Sequence, residues 1–131
     1  MKLATFRDLL HSGEPLLVPN AWDLGSALAF ELAGFPVIGT SSSGVAASVG
    51  RPAGGRWSKV ATVALAAQMC RLQVHVSTDI EDGFSDDPRE VAEFVAELAH
   101  TGVAAVNLED STDGHLVDSA GFAEKIAAVK K

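Results

Sequence analysis

The chain has 131 residues, 47% of them hydrophobic, with 10 Lys plus Arg against 17 Asp plus Glu. That is enough apolar sequence for one sizeable core, and the net charge of -7 repels phosphate backbones and anionic lipid, so neither nucleic acid nor a membrane surface is an expected partner. Cys70 stands alone and cannot form an internal disulfide, and "MKLATFRDLLHSG" breaks its apolar positions with Arg7 and Asp8; no signal peptide or membrane span is expected, and the default address is the cytoplasm.

Apolar residues at helical spacing predict a leading helix over Leu3 to Leu10, stopped at Ser12-Gly13. "EPLLVPNAWD" reads as strand one. Asp23 stands as N-cap before the helical "LGSALAFELAGF", which ends on Gly34. "PVIGTSSSG" from Pro36 is strand two running into a Ser/Gly turn, and "GVAASVG" makes one or two loose helical turns. "GRPAGGRW" is a loop by composition, after which Ser58 is expected to cap a helix from Lys59 to Leu72. "VHVSTDIE" is strand three, ending at Glu81-Asp82-Gly83. Pro88 opens the next helix, capped by Asp86 or Asp87 and stopped by Gly102. "VAAVNLED" is strand four. The last helix begins near Ser119, with Lys125, Lys130 and Lys131 suited to its C-terminus.

The order is strand-helix repeated four times, with connections that suit parallel strands. The fold class is therefore α/β, in a single domain over residues 1–131. Along a parallel strand side chains alternate between two faces. Val74, Val76, Thr78 and Ile80 make the helix-facing set of strand three, leaving His75, Ser77, Asp79 and Glu81 on the other face. In strand four Val106 and Leu108 face the helices, and Ala105, Asn107 and Glu109 face inward. Asp79, Glu81 and Glu109 thus converge at one rim, where mutual repulsion resists joint ionisation and a cation would relieve it. Oxygen donors without His or Cys favour a hard ion, Mg²⁺ first and Mn²⁺ next. Asp82, Asp86, Asp87 and Asp110 are expected to cap helices and solvate loops.

The segments "PNAWDLGSALAFELAGFPVIGTSSSGVAASVG", "STDIEDGFSDDPREVAEFVAELAHTGVAAVNLEDS" and "HLVDSAGFAEKIAAVKK" resemble, in order and spacing, the isocitrate lyase/phosphoenolpyruvate mutase superfamily. The resemblance implies a Mg²⁺-dependent barrel of the TIM type that makes or breaks a C–C or P–C bond next to a small 2-keto or 2-hydroxy carboxylate, through an enolate. It implies Asp79 as direct metal ligand, Glu81 and Glu109 as holders of metal-bound water, and Ser41, Ser42 and Ser43 as the substrate-carboxylate site bordered by Gly39. Amides at a Ser/Gly turn entering a helix suit an anion independently of the resemblance.

Three departures bear on this. The family usually carries an acid in the loop after strand two, where this chain has Ala53, and no Asp or Glu occurs between Glu31 and Asp79. The loop after strand four, "STDGHLVDSAG", lacks the catalytic thiol of the lyase branch and leaves His115 as its one base-like residue. A full barrel takes about 250 residues and eight strands, so the chain corresponds to the N-terminal half. An open half is expected to expose two edge strands and an apolar inner layer, which calls for a homo-oligomer or a C-terminal half. The alternative is a catalytically silent half-barrel serving as an interaction module. An unrelated phosphate-binding domain would need a glycine-rich fingerprint, which "NAWDLGSA" does not provide.

Overall fold

Four short strands carry the architecture: β1 (Asn20–Ala21), β2 (Val37–Thr40), β3 (His75–Asp79) and β4 (Ala105–Asn107). They pair in parallel in the order β1-β2-β3-β4. The computed structural model describes residues 4–131. The helices are α1 (Phe6–Leu10), α2 (Leu24–Leu32), α3 (Ser42–Ser48), α4 (Gly55–Met69), α5 (Pro88–Thr101) and α6 (Ser119–Val129), and a hairpin of β5 (Ser111–Thr112) and β6 (His115–Leu116) precedes α6. Leu3, the expected first residue of the leading helix, lies outside the described residues. No helix among them is long and apolar enough to cross a membrane.

Helix boundaries follow local chemistry. Thr5 and Asp8 form a capping box at α1, and Asp23 with Ser26 does the same at α2, the Ser26 amide donating to Asp23 Oδ1 at 2.7 Å. Asp87 caps α5 with Pro88 in its first turn, and Gly102 ends that helix at φ 100°. The expected cap at Ser58 is not there. Helix α4 begins at Gly55, with no side-chain cap at Gly54, and Ser58 sits inside it, 1% exposed. Strand one is also shorter than its apolar run, because Leu17 and Val18 stay exposed and only Asn20 and Ala21 join the ladder.

The two faces of the sheet differ. On the helix side, Ala21, Ile38 and Val76 pack with Ala27, Leu65 and Met69, while Ile80 packs with Ala66, Phe94 and Leu98, against which Val106 and Leu108 also lie. Each large side chain buried there contributes about 1.5–3 kcal/mol relative to exposure. On the other side the register aligns Asn20, Gly39, Ser77 and Ala105 in one row. This inner row is small and polar, not the apolar layer expected. A Cβ at Gly39 would overlap Asn20 Oδ1, so a larger residue there would have to displace the Asn20 amide that lies across it. One layer lower, His75 meets the Phe6 ring edge-on and its Nε2 lies 2.7 Å from the Ala4 carbonyl, which ties the leading segment beneath the sheet.

Candidate active site

Strand β3 delivers the first carboxylate. Asp79 is its last residue, and the Asp79 amide donates to Thr40 Oγ1 at 2.9 Å. Its side chain accepts from two backbone amides, Ser42 N to Oδ2 at 3.1 Å and Glu81 N to Oδ1 at 3.0 Å. The carboxylate is thereby fixed between the end of β2 and the turn after β3.

The chain then winds tightly, with Glu81 at φ 52°, Gly83 at 90° and Phe84 at 59°. Gly83 has no alternative, because a Cβ there would run into Val91 and Leu108. The left-handed backbone at Glu81 aims its side chain toward the start of α4, where Oε1 accepts from Ser58 Oγ at 2.7 Å and from Gly54 N at 3.3 Å. The Glu81 carbonyl accepts from Glu109 N at 2.7 Å, continuing the pairing of Asp79 with Asn107 one step past the strands. Glu109 itself is exposed, and its only side-chain partner among the described residues is Ser111 Oγ at 3.5 Å. Partial desolvation holds its carboxyl above the usual glutamate range, and the charges of Asp79, Glu81 and Asp82 push it further.

A cavity of about 470 Å³ opens at this rim, lined by Gly54, Glu81, Asp82, Asp86, Glu109 and Asp113 among others, with no lysine or arginine among the described lining residues. Asp79 lies one layer deeper, outside the lining. Among the described residues no three His, Cys, Asp or Glu side chains group closely enough to chelate an ion directly. The donor chemistry instead fits a hard cation taken by one carboxylate and held through water by the others, as Mg²⁺ characteristically binds.

The remaining expected residues fall elsewhere. Ser41 is the N-cap of α3, its hydroxyl accepting from Gly44 N, and its amide donates to the Ala21 carbonyl. The Ser42 amide is taken by Asp79, which joins the serine turn to the carboxylate set. Neither the serines nor Gly39 line the acidic cavity, and Gly39 is buried in the inner row. His115 sits exposed on β6, also outside the lining. Asp82, expected only to solvate its loop, accepts from Thr112 Oγ1 at 2.8 Å and from Phe84 N at 2.9 Å, which ties the turn to the hairpin.

Three features here were not expected from sequence: the Ser58 and Gly54 donors to Glu81, and the hairpin. Asp113-Gly114 between Thr112 and His115 is the sequence signal for the hairpin, since both residues adopt positive φ, 51° and 78°. No comparable spacing announces Ser58, because its role depends on where α4 starts.

A family model described as phosphoenolpyruvate phosphomutase matches residues 6–131. An uncharacterized protein of Mycobacterium tuberculosis is 49% identical over 127 residues, covering 97% of this chain and 48% of its own. A 2-methylisocitrate lyase of Halalkalibacterium halodurans is 32% identical over 136 residues, covering 96% of this chain and 45% of its own. Among solved structures, 2,3-dimethylmalate lyase, a superfamily member, superposes with a TM-score of 0.83 at 26% identity, covering 95% of this chain and 45% of that one. The chain spans about half the length of the curated relatives it matches.

Proposed function

Because the chain belongs to the phosphoenolpyruvate phosphomutase family, we propose that its carboxylate rim serves Mg²⁺-dependent cleavage or formation of a C–C or P–C bond beside a small 2-keto or 2-hydroxy carboxylate. The observation that carries this reading is the meeting of two strand ends: Asp79 closes β3, Glu81 follows in the turn and Glu109 lies beyond β4, its carboxyl raised by partial desolvation and then by the charges of Asp79 and Glu81. When bound, Mg²⁺, or Mn²⁺ in its place, supplies Lewis-acid stabilisation of an enolate oxygen. Asp79 is assigned as the direct ligand, its orientation set by the Ser42 and Glu81 amides. Glu81 and Glu109 are assigned to metal-bound water.

The substrate carboxylate is assigned to the serine turn. Since the Ser41 and Ser42 amides are already bonded within the chain, the hydroxyls of Ser42 and Ser43 and the Ser43 amide would meet it. His115 is not assigned a role, given its exposed place outside the cavity. Closure of the sheet beyond β1 and β4, by a second copy or by a C-terminal half, belongs to the same reading. A second reading, a half-barrel that binds partners without turning over substrate, is favoured by Ala53, which stands where the family resemblance expects a further acid.

Calorimetric titration with oxalate, a planar mimic of the enolate, separates the two. The first reading expects binding that needs Mg²⁺ and falls at least about 100-fold in Asp79→Ala, at the upper end of what disturbing a metal site's supporting groups costs. Absence of binding with and without Mg²⁺ would remove that reading for this chain and leave the silent module.

A further inference from the structure

We propose that Lys125 is a positioning residue for the acidic rim: its buried ammonium pins the turn after β3 through the Asp82 carbonyl and so sets where Glu81 stands. The inference rests on the metal-site reading of Glu81 given above.

Helix α6 presents Phe122, Lys125 and Val129 at i, i+3 and i+7, a spacing that places all three on one face. Phe122 and Val129 are half-buried and Lys125 is only 5% exposed, and it reaches the acidic turn and not the helix C-terminus expected for it. Its Nζ donates to the Asp82 carbonyl at 3.1 Å and lies 3.9 Å from Asp86 Oδ1, on a side chain that is 98% exposed. Burying an ammonium for one hydrogen bond and one distant, hydrated carboxylate returns little stability, and an apolar side chain of similar length would serve the packing as well.

The gain lies at the other end of the bond. The turn runs through three left-handed residues within four positions, two of them not glycine, so local preference does not hold it. It is held by ties: Glu109 N to the Glu81 carbonyl at 2.7 Å, Ser58 Oγ and Gly54 N to the Glu81 carboxylate, Gly83 N to the Ile80 carbonyl at 2.8 Å, Phe84 N and Thr112 Oγ1 to the Asp82 carboxylate, and Lys125 to the Asp82 carbonyl. Among these, Lys125 alone carries positive charge into the acid-rich turn. The carbonyl that Lys125 holds belongs to the Asp82-Gly83 peptide, one residue past Glu81, so on this proposal release of that peptide loosens the hold of Glu81 on Ser58 Oγ.

The test compares Lys125→Met and Lys125→Arg with the unaltered chain by hydrogen exchange of amides 81–86 without metal, by thermal melting, and by Mg²⁺-dependent oxalate titration. In Lys125→Met we expect faster exchange confined to the turn, a melting temperature unchanged or raised, and oxalate affinity lower by on the order of tenfold. Lys125→Arg should restore part of that affinity. A residue of purely structural worth would lower melting and binding together, and that pattern would overturn the proposal, as would wild-type exchange and binding in Lys125→Met. If the unaltered chain binds no oxalate, the metal-site reading fails by itself. The exchange data then still decide the strut: protection of the turn lost in Lys125→Met upholds it, and unchanged protection ends it.

Discussion

The two strand ends that bring carboxylates to the rim are built in opposite ways. After β3, Asp79 and Glu81 are each met by two neutral donors, three backbone amides and one buried hydroxyl in all. Beyond β4, Glu109 stands exposed with one long contact, and its carboxyl is held high. The β3 side is preorganised by the chain itself, so its carboxylates are held in place by hydrogen bonds before any ligand arrives. The β4 side has a carboxylate whose charge is stabilised by little within the chain, which is what a group waiting for an external cation looks like.

Breaking the preorganised side should have the larger effect. Ser58→Ala removes the 2.7 Å hydroxyl donor to Glu81 and leaves only the longer Gly54 amide. Hydrogen bonds to charged groups contribute about 1.5–3 kcal/mol, so a loss of that order is expected in urea unfolding at pH 7. A change below about 0.5 kcal/mol would mean that Glu81 is as free as Glu109 and that the contrast between the two sides is false.

Adding charge to the same side comes next in size. Ala53 precedes Gly54, whose amide already donates to Glu81. Ala53→Asp places an acid where the family resemblance expects one, and Mg²⁺ affinity by calorimetry should rise about fivefold to tenfold, roughly 1–1.4 kcal/mol, in line with the reach of supporting groups around a metal. Unchanged affinity would show that this loop does not face the cation.

Much of this contrast could be read before the fold was known, and the limits are physical. Once Val76 and Val106 are assigned to the helices, a period of two puts Asp79 on the opposite face, whereas Glu81 and Glu109 lie past the strands and Glu81 is aimed by its left-handed backbone. The α/β order was equally legible, because Asp23, Asp87 and Gly102 mark helix ends by chemistry local to each end. What supports Glu81 was not. Ser58 lies 23 residues away, and its hydroxyl reaches Glu81 only because α4 starts at Gly55, where no side chain caps the helix and no sequence signal marks the start. The inner row was misjudged as apolar for a related reason: Asn20, Gly39, Ser77 and Ala105 align only through inter-strand register, which periodicity within one strand does not contain. Lys125 was within reach of sequence, since Phe122 and Val129 flank it at helical spacing. The usual placement of lysine near a helix C-terminus outweighed that periodicity.

The smallest effect tests the exposed side. Because the Glu109 carboxyl titrates above its unfolded range, the folded chain favours the protonated form. The contribution of this group is therefore fully present below the unfolded value of about 4.3 and is lost as pH rises through the higher folded value. Glu109→Gln removes that loss. The variant should match the unaltered chain near pH 3.5 and exceed it at pH 7 by a small margin, at most the roughly 1 kcal/mol scale of exposed charge interactions, because solvent screens the group. Added monovalent salt should shrink the difference further. Millimolar Mg²⁺ should reverse it, because binding to the folded state stabilises the chain by an amount that grows with the logarithm of its affinity, and Glu109→Gln gives up part of that affinity. Such a crossing, seen by melting with and without Mg²⁺, would assign the unpaired charge to the cation. Parallel curves would leave Glu109 as a solvated rim residue, with the preorganised side alone facing the ligand.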